Sequence, residues 1–316
     1  MTLSILIVNW RSKDYVRQCL LSIRTTCAAF RPQIVVVDGA SFDGCAGMIR
    51  AEFPEVEFVQ SQENVGFGKC NNLGFETVTG EAVLLLNPDT ELKGGAVSLL
   101  LRTLTETPGV GMVGARLLNT DGTLQTSCVQ SLPTPLNQAL DSEFLRKLFP
   151  NSSLWGISAL WQSSPAEVEA ISGACMLLRS ETFRQAGGFG AQYFMYGEDM
   201  DLCAKVRKAG LKIYYEPRAE ILHHGGGSTG RAFSKRSAVL MRHSIFLFLR
   251  AHRGAVAAFI YRVVMACSAV FRVALLAVVC VLKRAPGDSS RVNALRKWLA
   301  VFRWSAGLES AMVRPT

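Results

Sequence analysis

The sequence predicts a doubly wound α/β fold, a mostly parallel sheet with helices on both faces, followed by a helical extension of different character. Three observations carry this. Short, largely apolar runs at residues 3–9, 33–38, 56–60 and 82–86 have the composition of strands covered on both sides. Helix-period segments at 14–25, 44–53 and 69–79 separate them, and such alternation implies right-handed crossovers in one sheet. Past residue 230, Lys and Arg recur while Asp288 and Glu309 are the only acids. The expected organisation is therefore an α/β domain at 1–230 and a basic, apolar helical extension at 231–316.

Each element has its own signal. Gly80 stands where it would cap the helix at 69–79, because glycine tolerates the left-handed backbone of a helix end. Asp121-Gly122, within 115–125, is a hairpin signal. Residues 133–165, rich in Pro, Ser and Asn and carrying Trp155 and Trp161, read as an irregular loop. A strand at 170–179 leads to a short helix from Ser180 that stops at Gly187-Gly188. The helix at 198–209 has acids in its first turn and Lys205, Arg207 and Lys208 in its last, matching the helix dipole. Gly210 closes it, and a late strand at 212–216 leads towards His223-His224.

From Ser234 the chain reads as helical. Residues 255–282 are almost wholly apolar, interrupted by Arg262 and Arg272, ten positions apart. That spacing returns both arginines to one face of a helix. A single polar stripe favours a helix lying in a membrane interface over one that crosses; a hairpin insertion or a buried docking helix is the alternative.

Composition narrows the function classes. The 316 residues are 49% hydrophobic, 19% charged and carry a formal net charge of +9. The excess positive charge lies in the extension, so a basic apolar tail follows a near-neutral domain. This suits an anionic membrane surface, and the absence of interleaved aromatic and basic residues argues against nucleic acid. Nine scattered cysteines without a CxxC pair read as reduced thiols. The N-terminus reads as a first strand rather than a signal peptide, which gives a cytoplasmic expectation.

In doubly wound sheets ligands bind beyond the C-terminal strand ends. There the chain places Asn9, Asp38 with Ala40, the loop from Asn64 through Lys69 to Asn72, and Asn87-Pro88-Asp89. Asp38 can accept hydrogen bonds from a base or ribose, or simply begin a helix. The glycines of 64–72 let backbone N–H groups approach a phosphate. Asp89 offers a hard oxygen to a divalent cation beside a diphosphate, although Asn-Pro-Asp is also good turn chemistry. Glu198, Asp199 and Asp201 exceed what capping needs, and one of them could serve as a general base. His223 or His224 could complete a metal site or meet a diphosphate.

Taken in order, VNWR, VVDGASFDG, NVGFGKCNN, LNPDT, GGFGAQYFMYGEDMDLCAK and HHGGGS resemble family 2 glycosyltransferases, in particular the rhamnosyltransferase-like branch, across residues 3–230. The resemblance implies a GT-A fold and inversion at the anomeric carbon. It makes Asp199 the general base, with Glu198 beside it, and Asp89 the metal-site acid for Mg²⁺ or Mn²⁺. Asp38 would hold the base of a nucleotide-diphospho-sugar, with Asn9, Ala40, Asn64, Lys69, Asn72 and Asn87 lining the donor site and His223 or His224 near the diphosphate. dTDP-rhamnose is the expected donor. The expected acceptor is lipid-linked or a polysaccharide, under the loop at 133–165, in cell-envelope or exopolysaccharide synthesis. Residues 234–304 would touch the cytoplasmic face of the inner membrane peripherally or monotopically. Arg11, Gly39, Lys69-Cys70 and Gly190-Ala191 depart from the family pattern. Two rivals follow: a UDP- or GDP-sugar donor, and a degenerate sugar-nucleotide-binding protein, which Asn87 in place of an acid would favour. A nicotinamide dehydrogenase is disfavoured, because Asn9-Trp10-Arg11-Ser12 follows the first strand instead of a glycine-rich fingerprint.

Overall fold

A computed structural model describes residues 1–140, 148, 149, 152, 154–225, 235–282 and 289–310. The chain divides into two compact units: Met1–Leu132, Phe149–Phe194 and Glu198–Arg231 form the first, and Pro133–Leu148, Met195–Gly197 and Ala232–Thr316 the second.

In the first unit, β1 (Leu3–Asn9), β2 (Gln33–Asp38), β3 (Glu57–Gln60) and β4 (Ala82–Leu86) are parallel in the order β3-β2-β1-β4. Helices α1 (Lys13–Thr26), α2 (Cys45–Glu52) and α3 (Phe67–Phe75) lie between them in sequence. Every residue of β1 and β4 is buried, which is why these segments carry continuous aliphatic runs. The register sets Asn9 opposite Asp38.

Beyond β4 the sheet becomes mixed. β10 (Cys175–Arg179) runs antiparallel between β4 and β6 (Val110–Leu118). β11 (Lys212–His223) is parallel to β6, and β5 (Thr90–Leu92) and β8 (Ala166–Val168) are antiparallel to β11. A separate pair joins β7 (Val129–Gln130) to β9 (Ala170–Ile171). α4 (Ala96–Glu106), α6 (Ser180–Gln185) and α7 (Glu198–Lys208) complete the unit.

Five expectations are revised. The helix foreseen at 69–79 ends at Phe75, and Gly80 is not its cap. A Cβ on Gly80 would stand 2.6 Å from the Ser4 backbone nitrogen, so glycine is there for close approach to β1. The strand foreseen at 170–179 breaks into β9 and β10 around Ser172–Ala174. The strand foreseen at 212–216 continues to His223 through a register shift between Glu216 and Glu220, where Pro217 has no N–H for a ladder. Asp121-Gly122 does turn the chain, but onto a single bridge, Leu118 to Leu124. Within the segment foreseen as an irregular loop, Ile157–Trp161 forms a 3₁₀ turn.

The second unit contains α5 (Pro135–Ala139), whose N-terminus is held by a reciprocal Thr134–Asn137 capping box. α8 (Lys235–Leu282) bends at Gly254, where φ is 89° and ψ 171°. α9 (Ser289–Ser305) packs against it. The arginine stripe faces this packing. Arg272 lies 4.5 Å and Arg242 4.9 Å from the centre of the Trp298 ring. Arg262 lies over Phe246 and Trp304 and donates to the carbonyls of Trp304 and Ser305 at 2.9 and 3.2 Å. The stripe thus meets aromatic rings and helix-end carbonyls, while Val256, Phe259 and Phe271 are 73, 67 and 68% exposed.

Candidate active site

The site forms at the C-terminal ends of β1, β2 and β4, where the backbone is strained. Arg11, Ala40 and Phe42 hold φ values of 52°, 59° and 49°, a left-handed conformation that L-residues adopt at a cost. Asp38, fully buried, organises this corner. It accepts from Asn9 Nδ2 at 2.7 Å, Gln60 Nε2 at 2.8 Å, the Ser41 amide at 3.0 Å and the Ser41 hydroxyl. Asn9 also reaches Ser41 and Asp43, and its Oδ1 accepts from the Ser12 amide. Asp38 and Asn9 thus hold the loops that bear Ala40 and Arg11 as one network, anchored by the β1–β2 register.

The loop at 64–72 is laced to the segment before α7. Asn64 Oδ1 accepts from the Gly66 amide at 3.2 Å. The Phe67 amide donates to the Phe194 carbonyl, and a Cβ on Gly66 would fall 2.1 Å from that oxygen. Only glycine fits there, at φ 91°. Asn72 commits both ends of its amide to the Phe189 backbone, at 2.9 Å each. Lys69 is exposed in the first turn of α3.

The acids of α7 separate by environment. Asp201 is buried, pairs with Lys205 at 2.8 Å and accepts from the Tyr193 hydroxyl at 3.3 Å, so its work is structural. Glu198 is buried, its Cβ close to Gly68. Asp199 is half-buried and accepts from the Gly173 amide at 3.1 Å. Burial of its carboxyl group pushes its pKa above the ordinary aspartate value, against the hydrogen bonds from Gly173 and Met200. One residue along the same connection, the Ala174 carbonyl accepts from the Asn87 amide at 3.0 Å. Ser172–Ala174 thereby ties Asp199 to the turn that carries Asp89.

The Asn-Pro-Asp turn is closed by Thr90, whose hydroxyl donates to the Asn87 carbonyl at 2.7 Å. Pairing of β11 with β5 sets His223 opposite Thr90 and brings the His224 amide to the Asp89 carbonyl. The two histidines then differ. His223 Nε2 lies 3.4 Å from Asp89 Oδ1, both side chains mostly buried. His224 Nε2 lies 2.6 Å from Glu91, with its ring near Tyr15. Among the described residues no group of three His, Cys, Asp or Glu side chains gathers to hold a metal alone. A carboxylate oxygen and an imidazole nitrogen are a fitting partial donor set for Mg²⁺ or Mn²⁺ that takes its remaining ligands from phosphates and water. Gln125, which no motif in the sequence marks, touches His223 at 2.8 Å. The seven cysteines buried in this unit have ordinary structural surroundings, and burial pushes Cys19 and Cys175 up to about 12.

Residues 2–243 match the family described as glycosyltransferase like family 2, and the chain belongs to that family of enzymes. It is 28% identical over 266 residues to the N-acetylglucosaminyl-diphospho-decaprenol L-rhamnosyltransferase of Mycobacterium tuberculosis, covering 80% of this chain and 85% of the relative. It is 23% identical over 241 residues to the rhamnosyltransferase WbbL of Escherichia coli, covering 73% and 86%. Among solved structures it is similar to the mannosyltransferase PcManGT from Pyrobaculum calidifontis in complex with GDP-Man and Mn²⁺, with a TM-score of 0.58 at 17% identity, covering 96% and 87%. It is also similar to S. aureus TarS 1–349 in complex with UDP-GlcNAc, at 0.54 and 16%, covering 98% and 84%. These likenesses establish the GT-A fold.

Proposed function

We propose that this chain is an inverting glycosyltransferase that moves a deoxyhexose, rhamnose from dTDP-rhamnose, onto a lipid-linked or polysaccharide acceptor in cell-envelope glycan synthesis. The observation that carries the reading is the tie through Ser172–Ala174, which joins Asp199 to the Asn87–Asp89 turn. A base for the acceptor and an acid for the donor diphosphate then share one mounting. The names of the two rhamnosyltransferase relatives support the sugar, and the diphospho-decaprenol in one of them supports a lipid-linked acceptor.

In the reaction, Asp199 takes the proton of the acceptor hydroxyl as its oxygen bonds to the anomeric carbon. The bond from that carbon to the nucleoside diphosphate breaks on the opposite face, and the diphosphate leaves with the electron pair. The raised pKa of Asp199 makes its carboxylate a stronger base than an exposed aspartate. The buried Asp38–Asn9 network shapes the nucleotide end, and the backbone of 64–68 with Lys69 faces the phosphates. Mg²⁺ or Mn²⁺ held by Asp89 and His223 would supply positive charge to the departing diphosphate. Residues 234–304 meet the membrane through exposed side chains such as Val256, Phe259 and Phe271, peripherally and at the cytoplasmic face.

Thermal-shift binding of dTDP, UDP and GDP, each with and without Mn²⁺, tests the donor site. A ligand at a hundred times its Kd adds about 2.7 kcal/mol to stability. The expected result is the largest shift with dTDP and Mn²⁺. A larger shift with UDP or GDP replaces the sugar, and no shift with any of the three overturns the donor site proposed here.

A further inference from the structure

We propose that Gln125 is a positioning residue that locks the His223 ring in the tautomer with its proton on Nδ1, so that the Nε2 lone pair is presented to Asp89. This rests on the metal reading above. One end of the Gln125 amide lies 2.6 Å from the His223 backbone carbonyl oxygen, and the other lies 2.8 Å from His223 Nδ1. A carbonyl oxygen can only accept, so the end facing it is the NH₂ group. The end facing the ring is then the amide oxygen, which also only accepts, and Nδ1 must be the donor. In the neutral ring, which carries one proton, Nε2 is then the acceptor; it lies 3.4 Å from Asp89 Oδ1. In that tautomer Nε2 and the Asp89 carboxylate are the nitrogen and oxygen donors that the metal reading calls for.

The clamp is fixed at each end by backbone. The Gln125 amide N–H donates to the Leu117 carbonyl at 2.9 Å, after the turn at Asp121-Gly122. His223 is held by the pairing of β11 with β5. Gln125 therefore grips side chain and main chain of one residue from 98 positions away. A ring nitrogen's partner sets which nitrogen is free to bind metal. The His224 ring is held differently, its Nε2 meeting Glu91 at 2.6 Å.

The test uses the full chain with ¹⁵N-labelled histidine. Four histidines keep the ring spectrum small, and His223→Asn assigns the signal. Long-range ¹H–¹⁵N spectra should show His223 protonated on Nδ1 in the wild type and in Gln125→Glu, which keeps the acceptor. In Gln125→Leu the proton should redistribute towards Nε2, and Mn²⁺ affinity measured with dTDP present should fall about tenfold or more. A His223 ring protonated on Nε2 in the wild type, or a Gln125→Leu spectrum identical to wild type, overturns the inference. A merely structural glutamine would not separate the Glu from the Leu variant. If His223→Asn leaves Mn²⁺ affinity unchanged, the metal placement fails, and the ring spectrum still decides the lock on its own.

Discussion

The two units bury opposite chemistry. In the α/β unit Ile5, Val36 and Leu85 are fully enclosed, and the buried acids Asp38, Asp89 and Glu198 sit at strand and helix ends. In the helical unit Arg262 and Arg272 lie against Trp304 and Trp298, and Phe259 and Phe271 point out. Folding removes apolar area from water at roughly 25 cal/mol per Å², so a helix that leaves two phenylalanines uncovered has not finished its burial. The proposed membrane contact would use these rings, while the arginines lie against indole rings.

This contrast is open to attack at three strengths. Asp199→Asn keeps the shape of the catalytic corner and removes the proton acceptor, so kcat should fall by about 10³-fold, within the range for a lost general base, while donor affinity stays near wild type. Single-turnover transfer together with donor titration measures both. A variant within tenfold of wild type would end the base assignment. In the wild type, activity should fall as pH drops through the raised Asp199 pKa, at a higher pH than an ordinary aspartate would give.

The helical unit should give the next largest effect. Phe259→Ser with Phe271→Ser should cut sedimentation with anionic lipid vesicles severalfold, since each phenylalanine contributes about 1.5–3 kcal/mol when buried, and leave the melting temperature within a degree or two. If these exposed rings were instead part of a water-facing surface, vesicle binding would not change.

The smallest effect is on stability. Burial holds the folded pKa of Asp199 above its unfolded value, so ionisation works against folding. That cost is absent below the ordinary aspartate pKa and sets in as pH rises through the raised one. Asp199→Asn should therefore melt a few degrees above wild type at pH 8 and converge with it near pH 3. Calorimetry at the two pH values checks this. Equal melting temperatures at pH 8 would mean that the carboxylate is not penalised.

Much of this was legible in the residues. β1, β2 and β4 are continuous aliphatic runs because both their faces are covered, and a pattern set by burial survives in composition. β6 is not legible. Its Gly111 and Gly114 dilute the strand signal, yet added Cβ atoms there would meet Leu211 and Ile171 at 2.8 and 2.7 Å, so the glycines serve packing from distant segments. The acids of α7 are visible as a cluster, but only Lys205 and Tyr193 reveal that Asp201 is structural. The two adjacent histidines are alike in sequence and differ only by which strand edge each ring meets. Gln125 carries no signal at all, since one amide in a turn has meaning only through the carbonyl it faces. The arginine stripe follows from spacing, whereas its aromatic partners lie on a helix that no local pattern connects to it.

The partnership of α8 with α9 also has an order in time. Synthesis delivers Arg262 and Arg272 before Trp298 and Trp304, so each new chain passes through a stage in which the long helix shows both its cations and its aliphatic side. At that stage it is a basic amphipathic segment, the pattern that the proposed membrane contact would use. Docking of α9 then withdraws the arginines and leaves the aliphatic side exposed. A chain cut before Ser289 would stay at the first stage.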